Sequence, residues 1–345
     1  MKQNTKHLLL IGPMTNIQEP SKTGGAVVLF ENLLQYCKEH GISFNVIDTN
    51  KFNYFNRFTA YISIFIQLLR YLPSTSHVSF HSSRNYIILS IPILLFSKIL
   101  NKPTSLRKFG GEAANVYNDA GFFKKALLKF IFSNFDTLFM EMKFLVSFFK
   151  EINPNTYWFP NVRKRPELKP IEKNYSKRFV FISHVKHAKG VDEILEASNR
   201  LGEEYTIDIY GPIVEEKYTP EYFQQFRAAY QQSLPSQQVL PTLNRYDVLL
   251  LPTFYKGEGY PGIIIEAFSL GIPVIATTLQ GIQEITENYK TGILIEPQNV
   301  DQLVSAMEYF ATADYDLMSK TALAKFNDFD TDIQTVNFLK QIEVC

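Results

Sequence analysis

The chain has 345 residues, 46% of them hydrophobic and 20% charged, with 35 Lys+Arg against 34 Asp+Glu. This length suits two domains, and the composition excludes a disordered chain, a coiled coil and a collagen-like repeat. The net charge of +1 makes no whole-molecule case for nucleic acid, but it hides an asymmetry: residues 1–165 carry 20 Lys/Arg against 9 Asp/Glu, and residues 166–345 carry 15 against 25.

Taken in chain order, the short apolar runs His7–Ile11, Ser43–Ile47, His77–Phe80, Thr104–Arg107, Thr137–Met140 and Thr156–Phe159 predict buried parallel strands. Helical patterns fall between them over Gly25–His40, Phe58–Leu72, Ile87–Leu100 and Lys124–Ser133. The stretch Pro160–Lys177 is rich in proline and basic residues and has no apolar period, so it reads as a linker. Strands follow at Arg178–Ser183, Thr206–Tyr210, Val248–Leu251, Pro273–Ala276 and Gly292–Ile295. Helices follow at Val191–Arg200, Pro220–Gln232, Gly262–Leu270, Val300–Phe310 and Asp314–Phe326.

Two strand–helix arrays predict an α/β fold of two Rossmann-like, doubly wound parallel-sheet domains facing a central cleft. The expected division is a domain over 1–160, a linker over 161–177, a second domain over 178–330, and a C-terminal helix over 331–345 that returns to the first domain. Cys37 and Cys345 form no disulfide framework, which fits a reducing cytoplasm. The N-terminal apolar run is shorter than the roughly 7–15 residues of a signal peptide. The most apolar stretch, Tyr86–Phe96, is shorter than the roughly 20 residues of a membrane span.

The segment Leu249–Thr277, LLLPTFYKGEGYPGIIIEAFSLGIPVIAT, carries the strongest signal. A strand leads into a loop with Gly257, Gly259 and Gly262, and a helix begins near Gly262. Loop amides and a helix N-terminus suit a phosphate. Two carboxylates, Glu258 in the loop and Glu266 one turn into the helix, can accept hydrogen bonds from hydroxyl groups. A phosphate beside a polyol describes a nucleotide sugar.

The spacing Glu258-x7-Glu266 within GEGYPGIIIEA, followed by GIPVIAT and Gly281-Ile-Gln-Glu284, resembles the retaining glycosyltransferases of family four, which have the GT-B fold. The resemblance runs over about Phe179–Met307 and is weaker over Lys6–Phe159. It implies that Glu258 meets the donor sugar hydroxyls and Glu266 the ribose, with Gly259, Tyr260, Pro261 and Gly262 completing that loop. In FVFISHVKHAKGV it implies that Lys189 neutralises the donor diphosphate, with Lys186 as a second charge. His184 stands where the family has arginine, and a neutral imidazole is a weaker phosphate ligand. Gly211 in DIYGP, Thr242 and Leu243 in VLPTLNRYD, and Gly281 and Ile282 ahead of a short helix are placed at the donor by the same resemblance. So are Gly24 and Gly25 in SKTGGA, which resembles the family's first glycine loop. His81, at a strand end on the expected cleft edge, and Glu112, in KFGGE, are further catalytic candidates. Asn161 matches a domain-junction turn.

No metal is expected. Cysteines and histidines show no metal-ligand spacing, and Asp314-x-Asp316 and Asp328-x-Asp330-x-Asp332 read as caps or solvated faces of C-terminal helices. The implied activity is transfer from a nucleoside-diphosphate sugar, a UDP-sugar, to a saccharide acceptor in surface-polysaccharide assembly such as O-antigen, capsule or exopolysaccharide. The basic first half suits a lipid-diphosphate-linked acceptor. Lys124, Lys125 and Lys129 beside Phe122, Phe123 and Phe130, and Arg57 and Arg70 flanking Phe58–Leu69, suit peripheral contact with an anionic inner leaflet. Two alternatives stay open: a GT-B nucleotide-sugar epimerase, which needs no acceptor, and a non-catalytic sugar-nucleotide-binding subunit.

Overall fold

The computed structural model describes residues 6–19, 24–83, 86–171 and 174–344. They divide into two compact units, one of Met1–Lys164 with Thr331–Cys345 and one of Arg165–Asp330.

The first unit contains β1 (Leu8–Gly12), α1 (Gly25–Glu39), β2 (Phe44–Asp48), α2 (Arg57–Tyr71), β3 (His77–Ser82), α3 (Tyr86–Ile99), β4 (Thr104–Lys108), α4 (Ala113–Asn118), α5 (Phe122–Asn134), β5 (Thr137–Met140), α6 (Lys143–Lys150) and β6 (Thr156–Trp158). The strands form one parallel sheet in the order β2-β1-β3-β4-β5-β6. β1 is apolar along its whole length because helices cover both of its faces. α2 starts where Asn56 and Thr59 cap each other's backbone N–H groups, a reciprocal box that ends the preceding loop. α4 and α6 are additional to the helices read from the sequence.

The second unit contains β7 (Arg178–Ile182), α7 (Val191–Arg200), β8 (Thr206–Tyr210), α8 (Pro220–Phe223), β9 (Ala229–Tyr230), α9 (Ser236–Leu243), β10 (Val248–Leu251), α10 (Gly262–Ser269), β11 (Val274–Thr277), α11 (Gln280–Ile285), β12 (Gly292–Ile295), α12 (Val300–Tyr309) and α13 (Tyr315–Lys325). Its parallel sheet runs β12-β11-β10-β7-β8-β9. Asn299 caps α12 and Asp314 caps α13.

The last helix, α14 (Thr331–Gln341), belongs to the first unit. The Thr331 N–H donates to the Arg163 carbonyl at 3.0 Å. Phe338 meets Phe139 and Phe159 with ring centroids 4.8 and 5.1 Å apart, and joins Leu8, Phe30 and Leu33 in one core.

Two expectations change. The helix over Pro220–Gln232 stops at Phe223; turn bonds carry the chain to Phe226, and the amides after it find other partners. The Arg227 N–H donates to Asn199 Oδ1 and the Ala228 N–H to Ser198 Oγ. Ala229–Tyr230 then pairs with β8 as an edge strand. The stretch 161–177 is not a free linker throughout, because beyond Lys164 it is laid on the second unit. Asn244 Nδ2 donates to the Lys169 carbonyl, and Asp247 Oδ2 accepts from the Ser176 N–H, the Ser176 hydroxyl and the Arg178 N–H at 2.9–3.1 Å.

Candidate functional site

The strand order of the second unit reverses at β7, which pairs with β8 on one side and β10 on the other, with Phe179 opposite Val248 and Val180 opposite Leu249. The loops leaving the carboxyl ends of β7 and β10 therefore start side by side. The crevice outside such a reversal is where doubly wound sheets hold their ligands.

The first of these loops carries His184, Lys186 and Lys189, and the second carries Glu258. They meet in an ion pair, Lys189 Nζ to Glu258 Oε2 at 2.5 Å, with the two side chains only 11% and 12% exposed. The Thr253 hydroxyl lies 3.2 Å from the Ala188 carbonyl and 3.3 Å from the same Glu258 oxygen, and the Phe254 N–H donates to the Ala188 carbonyl at 3.0 Å. Lys186 Nζ sits 4.1 Å and Lys189 Nζ 5.5 Å from the Tyr255 ring centroid, within cation–π range. Partial burial, then Lys186 and Lys189, lower the His184 pKa below the usual histidine value, so its imidazole is neutral at pH 7.

Glycine is required where these loops press on neighbouring backbone. Gly190 has φ +79°, and a Cβ there would lie 2.2 Å from the Pro252 carbonyl oxygen. Gly211 has φ +142°, and its Cβ would lie 1.8 Å from the Ser183 carbonyl oxygen.

Gly259, Tyr260, Pro261 and Gly262 carry the loop into α10, whose N-terminus no side chain caps, which leaves first-turn N–H groups for water or an anion. Tyr260 is buried and donates to Glu284 Oε2 at 2.5 Å. Glu266 is half-buried in the second turn of α10. Thr242 and Leu243 close α9, and both residues are buried. Gly281 and Ile282 are not ahead of the short helix but inside the first turn of α11, and both are buried.

The remaining candidates belong to the first unit. Gly24 caps α1 and Gly25 opens it, and a Cβ at either would meet nothing within 4 Å. Ser21, Lys22 and Thr23 of that motif lie outside the described residues, as does Cys345. Glu112 is exposed and stands at the N-terminus of α4. His81 does not end its strand on an open edge. It lies within β3 with no exposed surface, its Nε2 2.9 Å from Ser79 Oγ and its ring beside Phe30, Phe109 and Phe338. Burial first, then Arg107, holds its pKa well below the usual histidine value. A neutral ring sealed among aromatics cannot exchange a proton with substrate in this conformation.

Sequence reading missed Thr253 and Tyr255, which tie the two loops and face the lysines. Their one signal is position: they lie within three residues of Pro252 at the carboxyl end of a strand flanking the reversal.

Comparison with known proteins bears on this geometry. Residues 176–312 match the family Glycosyl transferases group 1. The Salmonella typhimurium protein named "Putative colanic acid biosynthesis glycosyltransferase WcaL" is 34% identical over 88 residues, 24% of this chain and 22% of that protein. The matched region thus spans about a fifth of that relative's length. Among solved structures, Anabaena Alr3699/HepE in complex with UDP aligns over 99% of this chain and 100% of its own, with TM-score 0.73 and 13% identity. The apo lipopolysaccharide outer core galactosyltransferase WaaB aligns over 98% and 99%, with TM-score 0.69 and 15% identity. The chain therefore has the GT-B fold, and its segment 176–312, which carries the Lys189–Glu258 pair, matches the model of the group 1 glycosyl transferases.

Proposed function

We propose that this chain is a retaining glycosyltransferase that moves a sugar from a UDP-sugar to a saccharide acceptor in surface-polysaccharide assembly. The observation that carries the reading is the Lys189–Glu258 pair at the strand-order reversal of a segment with this family's sequence. UDP in the HepE complex supports the choice of base, and the colanic acid relative and the lipopolysaccharide galactosyltransferase support the pathway class. A lipid-diphosphate-linked acceptor fits the basic composition of the first 165 residues.

In this structure the ammonium and carboxylate neutralise each other. A bound donor gives each a new partner: the diphosphate oxygens take Lys189, and the sugar hydroxyls donate to Glu258. As the bond from sugar C1 to the diphosphate oxygen breaks, charge grows on the diphosphate, where Lys189 and Lys186 already stand. The acceptor oxygen bonds to C1 on the face the leaving group vacates, and its proton departs with the diphosphate. Glu266 holds the ribose. The two lysines supply the cationic charge, so no divalent metal is required.

A thermal-shift panel of UDP, GDP, UDP-sugars and free sugars tests the reading, since a ligand bound only by the folded state stabilises it by mass action. UDP-sugars should raise Tm, and with acceptor present the product should keep the donor's anomeric configuration without added metal and in the presence of a chelator. GDP-sugar preference would overturn the choice of base. Conversion of donor sugar without acceptor would favour an epimerase.

A further inference from the structure

Three helices of the first unit each bury one apolar stripe and expose a second. On α2, Ala60, Ile64 and Leu68 are buried, while Phe58, Ile62, Ile66 and Leu69 stand out, Phe58 at 73% exposure and Ile66 at 59%. On α3, Leu89 and Ile93 are buried, while Ile88, Ile91, Leu95 and Ile99 recur at helical spacing on the surface. On α5, Leu128 and Ile131 are buried, while Phe123, Leu127 and Phe130 are exposed, Phe123 at 87%. One stripe is what a helix on a sheet needs. The second is unaccounted for by folding.

The exposed stripes adjoin. Phe65 of α2 meets Phe96 of α3 with ring centroids 5.5 Å apart, and Phe65 lines one groove with Ile88 and Pro92. On the other side of α3, Ile91 and Leu95 share a cavity of about 700 Å³ with Phe130 of α5, and Lys98 and Lys102 stand in its wall. A contiguous apolar patch of this kind marks an interaction surface.

Its frame carries one sign of charge. Residues 49–111 contain eight Lys or Arg and no Asp or Glu, and α5 adds Lys124, Lys125 and Lys129 with no acidic residue. Arg57, Arg70, Lys98, Lys124 and Lys129 form no ion pair among the described residues. Asp136, which also lines the cavity, is taken up by the Thr104 N–H and hydroxyl at 2.7 and 2.8 Å.

We infer that the α2–α3–α5 face docks on an anionic lipid bilayer. Its Phe and Ile side chains enter the boundary between headgroups and acyl chains, and its lysines and arginines meet the lipid phosphates. No described helix is long and apolar enough to cross a membrane, so the contact lies on the surface. A second copy of the same face is disfavoured, because two-fold pairing would set basic residues against basic residues. The inference does not rest on the glycosyltransferase reading.

Vesicle flotation of the full chain tests it, with phosphatidylcholine alone and phosphatidylcholine mixed with phosphatidylglycerol, at low and high salt. The protein should float with the anionic vesicles and not the neutral ones, and salt should weaken but not abolish the binding. Two variants, Phe58→Ser with Ile66→Ser and Phe123→Ser, and Lys124→Glu with Lys129→Glu, should each lower binding about tenfold. Both should keep the parent Tm and the parent's response to UDP, which separates loss of docking from unfolding and from failure of the donor reading. Equal binding to both vesicle types, no binding, binding undiminished in either variant, or a solution dimer that the apolar variant dissociates would each overturn it.

Discussion

Lys189 and Glu258 stand 69 positions apart in the chain and 2.5 Å apart in space. What closes that distance is the pairing of β7 with β10 and the crossing of Gly190 over the Pro252 carbonyl. A charged pair this sheltered must be held by the fold, because removing one partner leaves the other buried and uncompensated.

The role proposed for the pair in transfer is readable by substitution. Lys189→Ala should lower the transfer rate by about 10²- to 10³-fold, the scale of losing a preorganised group aimed at developing charge. Glu258→Gln keeps the shape and one acceptor oxygen, so it should cost less stability than Lys189→Ala while still lowering transfer about 10²-fold. Full activity in either variant, measured by initial rates with the UDP-sugar, would remove the pair from the mechanism.

Gly190→Ala should destabilise the second unit by about 2 kcal/mol, because the backbone is left-handed there and the obstructing atom is a main-chain oxygen that cannot swing aside. Gly25→Ala is the matched control. It opens α1 with nothing within 4 Å of the new Cβ, so its Tm should be unchanged or slightly higher. Equal Tm values for the two variants would refute the steric account.

Stability should fall in mild acid. Burial lowers the His77 pKa from 6.5 to about 4, so the unfolded chain binds a proton in that window and the folded chain does not. The stability this represents is complete above pH 6.5 and is lost as pH falls toward 4, by about 3 kcal/mol. His81 adds a loss of the same sign. Denaturant unfolding between pH 7 and pH 4 should show a shallower slope for His77→Gln than for the parent; identical slopes would contradict the assignment.

Asp247 fastens the incoming chain to the second sheet, its Oδ2 accepting three hydrogen bonds from Ser176 and Arg178. The residue is fully buried. Asp247→Ala should cost about 2–4 kcal/mol by orphaning those donors, read as a drop in Tm with the UDP response retained. Loss of the UDP response at unchanged Tm would mean that Asp247 acts on the ligand instead.

Much of the architecture was legible in order along the chain. Runs such as LLLIG and VLLL, short and bounded by turn residues, read as strands covered on both faces, and the glycine-rich loop before GIIIEAF could be placed at a strand end. The helix expected over Pro220–Gln232 was not legible as wrong, because the bonds that end it come from Ser198 and Asn199 on a different helix. His81 looked accessible because a strand end is exposed in isolation; the aromatic rings of α1, the β4–α4 loop and the last helix enclose it.

Alone, the sequence determined local order: the alternation of strand and helix, the glycine-rich loop at a strand end, and the division of charge between the halves. Tertiary structure decided proximity. The strand order β12-β11-β10-β7-β8-β9 brought Lys189 to Glu258, and the return of α14 to the first unit closed a core begun more than 300 residues earlier. The physical reason is the same in both cases. Local spacing fixes which face an element buries, but long-range pairing depends on which buried faces and strand edges can be satisfied together.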